Sequence, residues 1–127
     1  AERGAAMYQY SNAYEVYQNN QVNTLSSGRL LLMLYDGALK FLRFALAAME
    51  EKDVENTNKY LVKTQDIISE LMATLDFNAG EIANQLYSLY DFMIQELIDA
   101  NIKKDAEKVR SVYSMIEDLR DTWDKVV

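Results

Sequence analysis

The side chains of this sequence that could do acid–base or metal chemistry are almost all carboxylates. The 127 residues include 20 Asp and Glu and 13 Lys and Arg, but neither Cys nor His. Without Cys the chain has no thiolate nucleophile, no disulfide and no Cys-bound zinc or iron–sulfur cluster. Without His it has no Ser-His or Cys-His couple and no imidazole ligand for a metal or haem.

Three arrangements of carboxylates resemble known sites, and each lacks a necessary part. The first is a cluster near the C-terminus, composed of Glu117, Asp118, Asp121 and Asp124 and interleaved with Arg120 and Lys125. Such mixing of charges is typical of a solvated helix face. The second is Asp36, whose apolar neighbours would raise its pKa by burial, but a single carboxylate without a base or nucleophile makes no active site. The third, Asp76–Glu81, starts like a calcium loop, but Glu81 stands where the turn glycine belongs.

A carboxylate-bound di-iron site in a helical bundle would need Glu-x-x-His pairs, which this sequence lacks. We therefore predict that the chain is not an enzyme and holds no metal and no cofactor.

Its net charge of −7 argues against a nucleic-acid partner, because phosphate binding needs clustered Lys and Arg. The opening Ala1–Tyr10 has no apolar signal-peptide core, and charges interrupt Leu30–Met49 too often for a membrane span. We expect a cytosolic protein without membrane insertion.

The elements that position these side chains are predicted to be helices, since the chain has no Pro and only 4 Gly. Turn and capping signals predict helices at about residues 28–51, 53–75, 81–100 and 105–127, after an N-terminal arm over residues 1–25. Asp53 and Asp105 are predicted to cap the second and fourth helices, Asn101 to end the third, and Lys103-Lys104 to lie in a loop. The short connections favour antiparallel neighbours. We predict one all-α domain, an up-down four-helix bundle with a tyrosine-rich arm or short extra helix in front of it.

The apolar patterns of the four predicted helices differ. The fourth helix carries a narrow seam made of Val109, Val112, Ile116, Leu119, Trp123 and Val126. The second helix is similarly narrow, whereas the first is apolar around most of its circumference, apart from a stripe of charges. The third helix has a core face and, beside it, a second face made of Ala83, Tyr87, Ile94 and Ile98. A helix that packs on one side needs an apolar arc of only about 100°.

Two interpretations of this apolar excess stay open. Neighbouring helices and the arm could bury it, or it could form a hydrophobic groove for a partner helix. Both interpretations are true at once if the tyrosine-rich arm covers the groove while the partner is absent. A different class of protein, a structural bundle that associates with a second copy of itself, would also bury these faces, so a homodimer remains among the partners considered.

Several ordered motifs resemble the flagellar secretion chaperone FliS family. They are Ala13-Tyr14-x-x-Tyr17, the block from Ser27-Gly28 to Met33-Leu34-Tyr35-Asp36-Gly37-Ala38, Leu86-Tyr87-x-Leu89-Tyr90-x-x-Met93, Ala100-Asn101 and Leu119-Arg120-x-x-Trp123. They run in order from about residue 13 to residue 125, nearly the whole chain. The block around Met33–Gly37 is the most specific of them.

The resemblance implies a helical bundle in the bacterial cytosol that binds the C-terminal, filament-core-forming segment of flagellin. It would prevent premature polymerisation and hand its client to the flagellar type III export gate. The family's tyrosine-bearing N-terminal segment implies flagellin-binding roles for Tyr14 and Tyr17, with Tyr8 and Tyr10 as extensions. Helical angle adds Tyr87, Ile94 and Ile98. The remaining motif residues are expected in the core: Met33, Leu34, Tyr35, Asp36, Gly37, Tyr90 and Trp123.

Overall fold

The structure, a computed structural model, describes residues 27–126. Within that range the chain forms four α-helices and no strand. They are α1 (Ser27–Glu50), α2 (Val54–Ala73), α3 (Glu81–Lys103) and α4 (Ala106–Asp124), with a 3₁₀ turn at Phe77–Ala79 between α2 and α3. Helix α1 packs against α2 and α4, and α3 packs against the same two helices from the opposite corner. The predicted all-α four-helix bundle is confirmed.

The direction of the helices follows from the contacts between α1 and α4. Arg120 Nε donates to Asp36 Oδ1 at 2.9 Å, and Arg43 Nη1 donates to the Tyr113 hydroxyl at 3.1 Å. Residue numbers therefore rise along α1 while they fall along α4, so the two helices are antiparallel.

Aspartates begin three of the helical segments. Asp53 accepts a hydrogen bond from the backbone N–H of Asn56 at 3.1 Å, and Asp105 accepts from Glu107 N–H at 3.0 Å. Asp76 caps the 3₁₀ turn in the same way. These bonds satisfy N–H groups that have no partner inside a helix. The backbone and side-chain hydrogen bonds from Asn56 also lower the pKa of Asp53.

The end of α3 differs from the prediction. The helix continues to Lys103, three residues beyond the predicted end at Ala100, and Lys104 ends it in the left-handed conformation at φ 53°. Asn101 was expected to end the helix, but its side-chain Nδ2 instead donates to Asn58 Oδ1 on α2 at 2.7 Å. Lys103 is the last residue of α3 and Lys104 is its C-cap, although the pair was predicted to lie in a loop. Helix α4 ends at Asp124, before the predicted 127.

Most of the apolar excess of the first predicted helix is buried in the core. Leu34, Tyr35, Ala38, Leu42 and Ala45 of α1 are all at most 5% exposed. This burial supports the interpretation that neighbouring helices cover α1. From α4, the predicted seam residues Val109, Val112 and Ile116 complete the core.

A pair of tyrosines joins the two helices that lie diagonally across the bundle. The hydroxyls of Tyr35 on α1 and Tyr90 on α3 lie 2.6 Å apart. Burial raises the pKa of Tyr35, and hydrogen bonds with Tyr90 and Trp123 oppose part of that rise. Burial and the neighbouring Tyr35 also raise the pKa of Tyr90. Both groups are therefore neutral in the folded protein at ordinary pH, and their polar atoms satisfy each other in the core.

Candidate functional site

A groove between α2 and α3 brings together exposed apolar side chains. The hydrogen bond between Asn101 and Asn58 marks where the two helices face each other. Ile98, Ile94 and Tyr87 precede Asn101 by 3, 7 and 14 residues and therefore lie on the same face of α3. Tyr87 is 45% exposed and Ile98 is 38% exposed, while Ile94 is half-buried against the core.

Side chains of α2 and of both adjoining turns extend this surface. Val54 and Val62 lie one turn before and one turn after Asn58, and both are exposed. At one end the Phe77 ring lies 5.9 Å from the Tyr87 ring, between centroids, and at the other Ile102 is exposed. We call this surface the α2–α3 groove, defined by Val54, Val62, Phe77, Tyr87, Ile94, Ile98 and Ile102.

The charged side chains of α3 divide between the α4 side and the groove, because exposed Asp91 lies three residues before Ile94 and seven before Ile98 and therefore shares their face. Lys108 of α4 lies 3.4 Å from Glu96 and 3.5 Å from Asp99, and these carboxylates raise the pKa of Lys108. The groove residues are aliphatic or aromatic. Exposed apolar side chains along a helix pair are the geometry that accepts an apolar segment of another protein.

The carboxylate cluster near the C-terminus lies at the surface. Glu117, Asp118, Asp121 and Asp124 are all exposed. Arg120 lies between them and forms ion pairs with Asp36 at 2.9 Å, Asp121 at 3.5 Å and Asp124 at 3.7 Å. Over residues 27–126, no group of three or more carboxylates is arranged to hold a metal ion.

The motif residues expected in the core divide into two groups. Leu34, Tyr35 and Tyr90 are buried, Trp123 packs against the core, and Gly37 is half-buried. A Cβ on Gly37 would lie 3.3 Å from Ile67 Cδ1, so the missing side chain lets α2 approach α1.

The expected burial is wrong for Met33 and Asp36. Met33 is 55% exposed, and Asp36 lies at the surface, where it accepts the hydrogen bond from Arg120. Both flank the buried pair Leu34-Tyr35 on the helix, so the turn of the backbone directs them outward.

The second face predicted on the third helix is partly corrected. Tyr87, Ile94 and Ile98 lie together along the groove, but Ala83 is buried at 3% exposure and does not belong to it. Tyr8, Tyr10, Tyr14 and Tyr17 lie outside the described residues.

Sequence reasoning missed the rest of the groove. Phe77 was assigned to a loop, although an aromatic side chain in an otherwise polar turn was a usable signal. The sequence contained no such signal for Val54, Val62 and Ile102, since their exposure depends on how α2 and α3 pack.

Among the helices of residues 27–126, none has the length and hydropathy needed to cross a membrane.

Comparison with known proteins places the chain in a family. The sequence model described as "Flagellar protein FliS" matches residues 10–127. The flagellar secretion chaperone FliS of Bacillus subtilis is 43% identical over 116 residues, which cover 91% of this chain and 86% of the relative. The proteins of the same name from Campylobacter jejuni and Salmonella typhimurium are each 34% identical, over 90% and 88% of this chain and 90% and 84% of their own lengths. This chain, which folds as a four-helix bundle and matches these chaperones along nearly its whole length, belongs to the FliS family of flagellar secretion chaperones.

Proposed function

We propose that the protein binds the C-terminal, filament-core-forming segment of flagellin in the cytosol. It thereby prevents premature polymerisation and delivers the client to the flagellar type III export apparatus. The observation that carries this proposal is the α2–α3 groove, an apolar surface that the bundle leaves uncovered among its described residues.

The shape of the groove suits a flexible client. From Tyr87 to Ile102 it extends about 22 Å along α3, at 1.5 Å per residue. Ordering a flexible segment on binding costs about 2–5 kcal/mol or more, so many contacts along a groove favour binding better than one pocket does. A segment whose assembly seam lies on such a surface is masked from other flagellin copies.

The tyrosine-rich arm belongs to this proposal through the sequence. We infer that Tyr14 and Tyr17, extended by Tyr8 and Tyr10, contribute to the flagellin-binding surface and cover the groove while no client is bound. Deletion of residues up to Gln18 should then raise the fluorescence of a dye that binds exposed apolar surface. Unchanged fluorescence and unchanged flagellin affinity would contradict a covering role.

A titration with a labelled flagellin C-terminal peptide tests the groove. Replacement of Tyr87 and Ile98 together by alanine should weaken binding at least about 30-fold, because two large apolar contacts of the groove are lost. Phe92→Ala is the matched control: Phe92 is 47% exposed on the same helix, nine residues from Asn101 and so on the opposite side. The affinity of the Phe92→Ala variant for the flagellin peptide should change less than about threefold. Equal losses in both variants, or tight binding of flagellin that lacks the segment, would contradict the proposal.

Delivery is tested in cells by measuring flagellin in the culture medium. The Tyr87→Ala/Ile98→Ala variant should reduce secreted flagellin, and Phe92→Ala should not. Sedimentation over a range of protein concentrations tests the alternative, in which a second copy of the chain covers the groove. An obligate oligomer that binds no flagellin peptide would favour self-assembly, whereas a dimer that dissociates on peptide binding would agree with the proposed function.

A further inference from the structure

A cluster of three aromatic rings lies on the outer side of α1 and α2, with Phe44 exposed and Phe41 and Tyr60 half-buried. The rings of Phe41 and Tyr60 stack with centroids 6.0 Å apart and an angle of 20° between planes. Phe44 meets both rings edge-on, with its centroid 5.2 Å from Tyr60 and 6.4 Å from Phe41. Phe44 is 44% exposed, so the cluster presents an aromatic surface to solvent.

Three lysines surround these rings. The Nζ atoms of Lys40 and Lys63 lie 5.1 Å and 5.6 Å from the Phe41 centroid, and Lys59 Nζ lies 5.2 Å from the Tyr60 centroid. Such distances are typical of a cation–π interaction. We call the six residues Phe41, Phe44, Tyr60, Lys40, Lys59 and Lys63 the aromatic–lysine patch.

The positive charge of the patch is unusual for this chain. Acidic residues outnumber basic ones by 20 to 13, yet none of the three lysines forms an ion pair with a carboxylate of residues 27–126. By contrast, Lys103, Lys108, Arg110 and Arg120 each form at least one ion pair with a carboxylate. The three ammonium groups of the patch therefore remain able to pair with carboxylates from outside, although Lys63 already has an electrostatic interaction with Asp66, three residues further along α2.

A cavity adjoins the patch at the C-terminal end of α1. Its volume is about 280 Å³, and its apolar wall is formed by Phe44, Ala47, Ala48 and Tyr60, while Glu51, Asp53 and Asn56 form its polar wall. The two alanines leave room for one apolar side chain of a partner beside the Phe44 ring. Along α1, exposed Met33, Asp36, Lys40, Phe44 and Ala47 follow one another at spacings of 3, 4, 4 and 3 residues and so share one helix face, on which Asp36 is paired with Arg120.

We propose that the aromatic–lysine patch docks an amphipathic helix of a second partner protein, whose apolar stripe is flanked by Asp and Glu. An apolar side chain of this helix contacts Phe44 and enters the cavity, while its carboxylates pair with the three lysine ammonium groups, away from Glu51 and Asp53 at the cavity end of the patch. The rings already hold these lysines, so little side-chain entropy is lost on binding. The net charge of −7 repels an acidic helix elsewhere, which directs it to this face.

The patch and the α2–α3 groove are separate surfaces. Lys59 directly follows Asn58, and Lys63 directly follows Val62. Since consecutive helical residues differ by about 100° around the axis, both lysines point away from the groove side of α2. The α2–α3 groove and the patch therefore lie on different flanks of α2. A partner on the patch leaves the groove accessible, and the proposal does not depend on what the groove binds.

Fluorescence anisotropy with the full chain and two synthetic peptides tests the proposal. The first peptide is a labelled helix with Leu and Phe at positions i, i+3, i+4 and i+7 and Glu elsewhere, and the second has Gln in place of Glu. We expect the Glu peptide to bind at least about tenfold more tightly, and added salt to reduce the difference. Replacement of Lys40, Lys59 and Lys63 together by Gln, or of Phe44 by Ala, should weaken its binding at least about tenfold.

The control variant replaces Lys103, Lys104 and Lys125 by Gln, which removes the same charge outside the patch, and should change affinity less than about threefold. Thermal unfolding by circular dichroism verifies that each variant is folded. Equal binding of both peptides, or unchanged binding by the Lys40/Lys59/Lys63 variant, would overturn the proposal. Loss of binding in Tyr87→Ala/Ile98→Ala with retention in Phe44→Ala would also overturn it, because the peptide would then occupy the groove.

Discussion

The two flanks of α2 present different surfaces to a partner. Towards α3 the exposed side chains are mainly aliphatic or aromatic and are bordered by the carboxylates of Glu55 and Asp91, whereas towards α1 they are aromatic rings beside three lysines. Burial of apolar area is favourable on both flanks, but only the lysines favour an acidic partner. One helix can therefore contribute to two surfaces with different partners, because the position around the helix decides which neighbour a residue joins.

The largest expected effect removes both surfaces together. Tyr90→Ala deletes a buried ring between the helices and leaves the Tyr35 hydroxyl without its partner. We expect a loss of about 3–5 kcal/mol in the free energy of unfolding, measured with urea. Both peptides should then bind more weakly in proportion to the unfolded fraction. A stable Tyr90→Ala protein in which only one surface is lost would show that the buried pair does not support both.

High pH should lower the free energy of unfolding through the same pair, Tyr35 and Tyr90. The pKa values of Tyr35 and Tyr90 are raised in the folded protein above the ordinary 10.0, so the folded state keeps protons that the unfolded state loses. Their contribution is complete below pH 10.0 and is lost as pH rises above it, by about 1.4 kcal/mol per pH unit for each tyrosine. Urea unfolding between about pH 9 and pH 11 should show a smaller decrease for Tyr35→Phe/Tyr90→Phe. An identical decrease in that variant would assign the effect to other groups.

Charge placed in the groove should separate the two surfaces. Ile98→Lys introduces an ammonium group where the client's apolar side chains would lie, and we expect flagellin-peptide binding to weaken about 10- to 100-fold. Binding of the acidic peptide to the aromatic–lysine patch should be unchanged within about threefold. Anisotropy titrations of both peptides on one protein preparation measure this, and parallel losses would show that the flanks are coupled.

The smallest effect concerns a contact outside both surfaces. Arg120→Ala removes the ion pairs with Asp36, Asp121 and Asp124. These groups are partly exposed, so we expect a loss of only about 0.2–1 kcal/mol in unfolding free energy and no change at either surface. Urea unfolding and both titrations provide the measurement. A large loss in flagellin-peptide binding would extend the client surface to the α1–α4 side.

Residues whose environment depends on a single helix were predictable. The seam Val109, Val112 and Ile116 is buried, and the predicted capping positions Asp53 and Asp105 do cap their helices. Helical angle alone placed Tyr87 and Ile98 on a second face of the third helix, and the structure shows that both are exposed. Prediction failed where a second helix intervenes. Asn101 continues α3 because it bonds to α2, and Asp36 stays at the surface because Arg120 of α4 lies beside it.

The sequence by itself determined the all-α bundle and, through the order of its motifs, the family, because helical periodicity and motif spacing are local properties of the chain. The tertiary structure decided which apolar excess remains exposed: most of that on α1 is buried by α2 and α4, and that on α3 stays open along α2. It also brought Phe41, Phe44 and Tyr60 together with three lysines, although each residue alone resembles ordinary helix surface. The physical reason is that exposure and charge pairing depend on which helices are neighbours, and that arrangement exists only after the bundle has packed.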